Sequence, residues 1–435
     1  MSKLSSSQGR SPLFWVPTLY FAEGLPFYAV ALIAGLMYKS MGIPNDQIAR
    51  WTGLLGFAWV FKPLWSPLLE TVSSRKAVVI LFQGTSAAGL GLVAFNLQLP
   101  DWFAFSLAML AIVALSAATH DIAADGLYIA SLTSKRQAQY VGWQGAFFNA
   151  GKFISQGVLL ILAGRLERSM APSAAWAIVF AIAGAVMAAI ACYHLWSLPA
   201  WRVERSKDHS LRSVWSTFID VTVDFFRKPG IWIAILFIIL FRIGEAQVQT
   251  IGPLFLRDSR VMGGLGLTTD EVGLIYGSGG TIAFLLGSIL GGYFASWLGL
   301  RRAMVYLILA VNIPNLVYCF LSVTQPEARS VIAAALGLEM FGYGFGFVAI
   351  ILFIMQVVAV GRFPTAHYAL GTGFMQLGNV LFKMVSGDLQ VHMGYRPFFL
   401  WVVACTLAPL AMCFLVNFQS STQTDAATTA DPKPA

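Results

Sequence analysis

Twelve long, predominantly apolar stretches dominate this chain, and they decide what it can fold into. They run at about 12–38, 48–69, 77–96, 102–129, 138–163, 173–196, 230–256, 271–298, 303–323, 329–360, 366–389 and 397–418. An α-helix rises 1.5 Å per residue, so about 20 apolar residues cross the ~30 Å hydrocarbon layer. A transmembrane barrel shows alternating segments of about 10 residues instead. Only 11% of the residues are charged and the mean hydropathy is +0.72. Soluble domains carry roughly 25% charged residues, so this composition excludes one. The expected fold is an all-α polytopic membrane protein with twelve transmembrane helices, numbered 1–12 in chain order.

Basic residues set the expected topology. Lys3/Arg10, Arg75/Lys76, Lys135/Arg136, six residues of 199–229, Arg301/Arg302, Arg362 and Lys433 give 16 on one side, against 8 on the other. The positive-inside rule puts the richer side, with both termini, in the cytoplasm. The net charge of +8 therefore orients helices and gives no reason for a nucleic-acid partner. Lys3 and Arg10 before an apolar run mimic a signal peptide, but the run is too long and reads as helix 1. Cys192, Cys319, Cys405 and Cys413 lie in apolar runs without metal-ligand spacing, so no metal site is expected. No nucleotide-binding loop is present either, which excludes ATP-driven transport and leaves no cofactor expected.

Residues 199–229 divide the chain. Within them Leu211, Val214, Trp215, Phe218, Val221 and Phe225 recur at helical spacing, the pattern of an amphipathic helix on the cytoplasmic surface. The expected units are an N-terminal six-helix bundle (1–198), this linker, a C-terminal six-helix bundle (230–418) and a disordered tail (419–435). Arg75-Lys76 and Arg301-Arg302 follow corresponding helices, and Glu23 and Glu245 lie in the first helix of each half. These matches point to two six-helix pseudo-repeats that rock about a site near the midplane.

Ionisable residues inside a membrane are functional candidates by default. Glu23, in Glu23-Gly24-Leu25-Pro26, falls roughly 16 Å into helix 1 at 1.5 Å per residue. Gly24 and Pro26 are expected to break that helix and free carbonyls. Glu23 is either a carboxylate coupling proton entry to solute movement or a partner of Lys62. Lys62 precedes Pro63 in helix 2 and either binds an anionic solute, pairs with Asp121 or snorkels. Asp121 and Asp125 share one face of helix 4, as a proton relay or as an inner gate with Lys135 or Arg136. His120 is expected to hydrogen-bond within the bundle. Arg242 and Glu245 sit three apart in helix 7, followed by Gln247 and Gln249. Gln144, Asn149, Lys152 and Gln156 give helix 5 a polar face; Gln376, Asn379 and Lys383 give helix 11 another. Glu339 in helix 10 is a second proton site or a partner of Lys383. Proton-coupling candidates are thus Glu23, Asp121, Asp125, Glu245 and Glu339. Solute-binding candidates are Lys62, Gln144, Asn149, Lys152, Arg242, Gln376, Asn379 and Lys383. Trp15, Trp59, Trp143 and Tyr343 are rings suited to packing or to stacking on a solute.

The helix 8–9 turn, Gly291-Gly292-Tyr293-Phe294-Ala295-Ser296-Trp297-Leu298-Gly299-Leu300-Arg301-Arg302, resembles the signature of the major facilitator superfamily. Ser296 replaces its aspartate; in the first half Glu70 takes that position without the glycines. The resemblance implies a cytoplasmic latch from Glu70, Arg75, Arg301 and Arg302. Tyr20-Phe21-Ala22-Glu23-Gly24-Leu25-Pro26, Phe61-Lys62-Pro63-Leu64-Trp65-Ser66-Pro67-Leu68-Leu69-Glu70 and Thr119-His120-Asp121-Ile122-Ala123-Ala124-Asp125 further resemble the muropeptide permease (AmpG) branch. That branch also includes acetyl-coenzyme A transporters, and related permeases take up siderophores. The family usually reads Gln-Asp where His120-Asp121 stands, and an arginine often follows its second aspartate.

The expectation is a permease: a proton-coupled secondary transporter moving a polar solute by alternating access across the inner membrane. The resemblance makes a peptidoglycan-derived muropeptide the leading solute, with a siderophore or acetyl-coenzyme A as alternatives. Its partners are then the solute, protons and the lipid bilayer, with the monomer as the working unit. An enzyme using His120, Asp121 and Asp125 is the competing class, disfavoured by the repeat and by the scattered intramembrane charges.

Overall fold

In lipid, backbone amides have no water to bond, so a spanning segment must satisfy them internally. The computed structural model describes residues 10–199 and 211–418, apart from 71, 73 and 417, and its elements are all helices. Among the described residues, ten helices are long and apolar enough to cross a membrane. They are helix 1 (Pro12–Ser40), helix 3 (Arg75–Asn96), helix 4 (Trp102–Ser131), helix 5 (Gly142–Leu166, with its helical start at Ser134) and helix 6 (Pro172–Ser197). After the linker come helix 7 (Ile231–Arg257), helix 8 (Thr269–Leu298), helix 9 (Leu300–Thr324), helix 10 (Arg329–Val358) and helix 12 (Tyr395–Leu415). Helix 2 forms as Asn45–Leu55 and Phe57–Glu70, joined at Gly56, and helix 11 as Pro364–Met393. The expected tail, 419–435, lies outside the described residues.

Helix 1 does not break at Gly24–Pro26. Val16–Tyr28 is continuous with Pro26 inside it, and a π-helical turn follows at Ala29–Ile33. Gly24 has a different use: a Cβ there would collide with the Phe148 carbonyl of helix 5, so its absence lets the two backbones touch. Further π-turns lie at Phe153–Leu159 in helix 5 and Gly273–Gly279 in helix 8. Helix 7 departs from helical geometry at Arg242, between Ile231–Phe241 and Ile243–Arg257. Such irregularity at membrane depth is tolerated where it is packed in protein or lines a cavity.

The linker helix, Leu211–Phe226, forms as the apolar spacing predicts. Val221 and Phe225 are buried, and the Phe225 ring stacks on Phe374 of helix 11 at 6.1 Å. His367 Nε2 lies 3.2 Å from the Val221 carbonyl, and Lys228 donates to the carbonyls of Val358 and Val360, both at 2.7 Å.

Helices 5 and 8 meet along one part of their length only. Phe153–Leu159 packs on Gly273–Gly279 and Leu160–Leu166 on Thr269–Val272, whereas Ser134–Lys152 and Gly280–Leu298 form no comparable seam. Small residues allow this approach: a Cβ on Gly277 would overlap the Gln156 carbonyl, and one on Gly164 would overlap Asp270. The bundle is thus closed at the end bearing the 1–2, 5–6 and 7–8 turns and splayed at the other. Gly277→Val is expected to force the seam apart at a cost of roughly 1–3 kcal/mol, the usual penalty of overpacking. A lower melting temperature in detergent checks this; an unchanged melt contradicts the seam.

Candidate functional site

A cavity of about 280 Å³ lies where the irregular parts of helices 1, 5, 7 and 8 meet helices 10 and 11. The break at Arg242 turns its guanidinium inward. Its Nε donates to Glu245 Oε2 at 2.8 Å, and both residues are buried. Removing two charges from water is expensive unless their attraction and added hydrogen bonds compensate. Tyr343 Oη stands 3.5 Å from Arg242, and the Phe347 ring centre 5.4 Å from it. Lys152, also buried, faces Glu245 and Glu339 without a direct ion pair to either. Its Nζ stands 4.3 Å from the Phe284 ring centre and 5.7 Å from that of Tyr28. A cation over an aromatic face is held by the ring quadrupole.

Helix 11 supplies Gln376, Asn379 and Lys383, one face at helical spacing, all lining the cavity. Lys383 does not pair with Glu339; its Nζ donates to the Ala31 carbonyl in the π-turn of helix 1 at 3.0 Å. Glu339 keeps a buried Oε2 without a hydrogen-bond partner. Of the two glutamines after Glu245, Gln249 lines the cavity. Gln247 instead donates to the Ile243 carbonyl and accepts from Trp401 Nε1 at 3.2 Å. Among the four rings singled out from sequence, Tyr343 lines the cavity. Trp15 is buried against Tyr128, Trp59 packs on Phe27, and Trp143 stacks on Phe147.

The remaining candidates gather elsewhere. Lys62 makes an ion pair with Asp121, and Glu23 contacts the same aspartate. Lys62 therefore bonds Asp121 and not Glu23, whose Oε2 is buried without a hydrogen-bond partner. Asp125 accepts from Tyr20 Oη at 2.8 Å, and Gln144 donates to the same Oη at 2.6 Å. Helices 1, 2, 4 and 5 thus meet in a carboxylate cluster separate from the cavity. Asn149 turns back to the Gly145 carbonyl at 2.8 Å. His120 is fixed within the bundle, as expected, with Nε2 2.9 Å from the Gln83 amide nitrogen. The Gln83 amide oxygen lies 2.9 Å from His194 Nδ1, and His194 Nε2 lies 2.9 Å from the Thr18 hydroxyl.

The Arg75 guanidinium lies over Gly126 of helix 4, where a Cβ would collide with it. Arg301 and Arg302 are exposed, and the Glu70 side chain lies outside the described residues.

The closed end holds groups that sequence reasoning missed. Asp258 accepts from Lys39 at 2.6 Å and from Asn45 at 3.2 Å, and the Tyr395 hydroxyl donates to it as well. Arg50 pairs with Asp388 at 2.7 Å, Arg168 pairs with Asp270, and Thr269 Oγ1 donates to Glu167 at 2.5 Å. These charges sit near helix ends, and nothing in the sequence pattern marks which of them pair.

Comparison with known proteins agrees with this architecture. The family model of the Major Facilitator Superfamily matches residues 18–382. The chain belongs to that superfamily. It is 25% identical over 416 residues to the anhydromuropeptide permease of Escherichia coli strain K12, covering 93% of this chain and 79% of that one. A bacterial homolog of the human lysosomal transporter Spinster, in an inward-facing and unoccupied conformation, superposes with a TM-score of 0.73 at 16% identity. That match covers 94% of this chain and 97% of the homolog. A D-xylose–proton symporter superposes with a TM-score of 0.72 at 14% identity, over 95% and 99% of the two chains. The chain is accordingly a multi-pass membrane transporter of small solutes and not an enzyme.

Asp258→Ala removes the acceptor shared by Lys39, Asn45 and Tyr395 and strands the largely buried lysine. A loss of roughly 2–4 kcal/mol is expected from breaking such a bonded charge. The melting temperature of the solubilised protein checks it; a wild-type melt contradicts the role of Asp258 in holding this end shut.

Proposed function

We propose that this transporter is a proton-coupled permease that imports a polar, cell-wall-derived solute of the anhydromuropeptide type across the inner membrane. The observation that carries the reading is the cavity, which gathers the buried Lys152 and Arg242 and the half-buried Lys383 from helices 5, 7 and 11. Burying these charges is costly, and a polar solute that bonds them is a reason to retain them. Helices 2 and 11 cross the membrane with the ten apolar ones, giving twelve spans in two halves, 1–198 and 230–418. Their lower hydropathy follows from facing the cavity and the partner half. Both termini are cytoplasmic, so the splayed end faces the cytoplasm and the shut end faces outward.

Solute binds through Lys152, Arg242, Gln376, Asn379 and Lys383, with the rings of Tyr28, Phe284 and Tyr343 as apolar walls. Coupling runs through the carboxylate cluster. Glu23 is the proton carrier beside the Lys62–Asp121 pair, and its change of charge loosens that pair, freeing the inner half of helix 2 to move against helix 4. Asp125 and Gln144 continue this path through Tyr20. Glu339, buried behind the cavity wall next to the lining residue Met340, serves as the second proton carrier. Glu70, Arg75, Arg301 and Arg302 form the inner latch when the cytoplasmic end closes, and the linker helix ties helix 11 to this movement. The 25% identity to an anhydromuropeptide permease over 93% of the chain supports the solute class.

Uptake of radiolabelled anhydromuropeptide into energised membrane vesicles tests the reading. Accumulation above the outside concentration is expected, with loss of at least ten-fold on adding an uncoupler. Glu23→Gln is expected to abolish accumulation while counterflow exchange persists. Uncoupler-insensitive accumulation, or full accumulation by Glu23→Gln, overturns the coupling.

A further inference from the structure

Lys383, half-buried in the cavity wall, differs from the other cations inside the bundle. Arg242 has Glu245 at 2.8 Å, Lys62 has Asp121, and Lys152 faces two carboxylates. Among the described residues Lys383 has no carboxylate within ion-pair distance, and its hydrogen bond goes to the Ala31 carbonyl at 3.0 Å. An ammonium carries three donors. Removing one from water with a neutral carbonyl as its recorded partner is costly unless an anion completes its shell. Asn379 and Gln376 stand four and seven positions before it on the same helical face and line the same cavity.

The contact with Ala31 joins the two ends of the chain. Lys383 lies on helix 11, and Ala31 lies in the π-turn of helix 1. In this state of the molecule the lysine tethers helix 11 to helix 1 at the cavity wall.

We propose that Lys383, with Asn379 and Gln376, is a carboxylate-binding subsite, and that a solute carboxylate takes the ammonium over from the Ala31 carbonyl. Binding then does two things. The carboxylate supplies the missing counter-charge, so acidic solutes are selected over their amides. The exchange also releases the tether between helices 1 and 11, so an acid binds together with a conformational change that an amide does not trigger. The Ala31 carbonyl is a neutral acceptor, whereas a carboxylate adds full opposite charge in a low-dielectric site, which gives the exchange its direction. This inference rests on the cavity being the solute site; it names which chemical group of the solute Lys383 reads.

The test compares acids with amides. Binding of an anhydromuropeptide and of its carboxyl-amidated form is measured on the purified protein by competition with the radiolabelled acid. Wild type is expected to prefer the acid by ten-fold or more. Lys383→Met is expected to lose ten-fold for the acid and to bind the amide unchanged, while Lys383→Arg keeps the preference. Equal weakening of both forms in Lys383→Met, or no preference in wild type, overturns the subsite. If wild type binds neither anhydromuropeptide form, the proposed solute class fails. Lys383 is then decided by a panel of N-acetyl peptides and their C-terminal amides, scored by thermal stabilisation. Acids stabilising wild type more than their amides, with the difference lost in Lys383→Met, support the subsite; a panel without that difference overturns it.

Discussion

The cost of placing charge in hydrocarbon organises this structure. Helices with continuous apolar faces can stand against lipid, and every ionisable group at membrane depth must find a partner or a cavity. The described residues satisfy that demand in two inner assemblies. Arg242, Lys152 and Lys383 line the cavity, with Glu245 paired to Arg242 and Glu339 buried behind the wall, whereas Glu23, Lys62, Asp121 and Asp125 meet between helices 1, 2 and 4. A third set, centred on Asp258 and Glu167, closes one end. The separation matters for the proposed mechanism, in which the carboxylate cluster carries the coupling and the cavity holds the solute.

Close backbone contact links these assemblies. Glycines let helix 1 touch helix 5 at Gly24 and let helix 5 touch helix 8 at Gly277. The π-turns of helices 1, 5 and 8 and the break in helix 7 lie at this same level. Helix 5 carries Gln144 in the carboxylate cluster and Lys152 in the cavity, so one rigid element reaches both. A shift of helix 5 relative to helix 1 therefore changes both sites together.

The all-helical membrane architecture, with ten of the expected spans, was legible in the sequence because an apolar run of twenty residues has few other uses. The cavity residues Lys152, Arg242, Gln376, Asn379 and Lys383 were legible for a related reason: polar strips on apolar helices must turn inward. Pairings were not legible. Whether Lys62 meets Glu23 or Asp121 depends on the rotation of helix 2 about its own axis, which an apolar run leaves unset. Glu339 and Lys383 illustrate the same limit, since the lysine reaches Ala31 instead. The break expected at Gly24–Pro26 came from residue type alone; a proline deep in a packed helix is accommodated there, and the irregularity sits one turn later. Asp258 and Glu167 escaped notice because an acid near a helix end has no depth or periodicity signal, and its partners come from turns distant in the chain.

The central claim is that solute and proton cross together. Proteoliposomes holding the purified protein and an internal pH dye measure it directly when anhydromuropeptide is added outside with no imposed gradient. Internal acidification that follows solute entry, and that disappears in Glu23→Gln, is the predicted result. Solute entry with no change in internal pH contradicts the account.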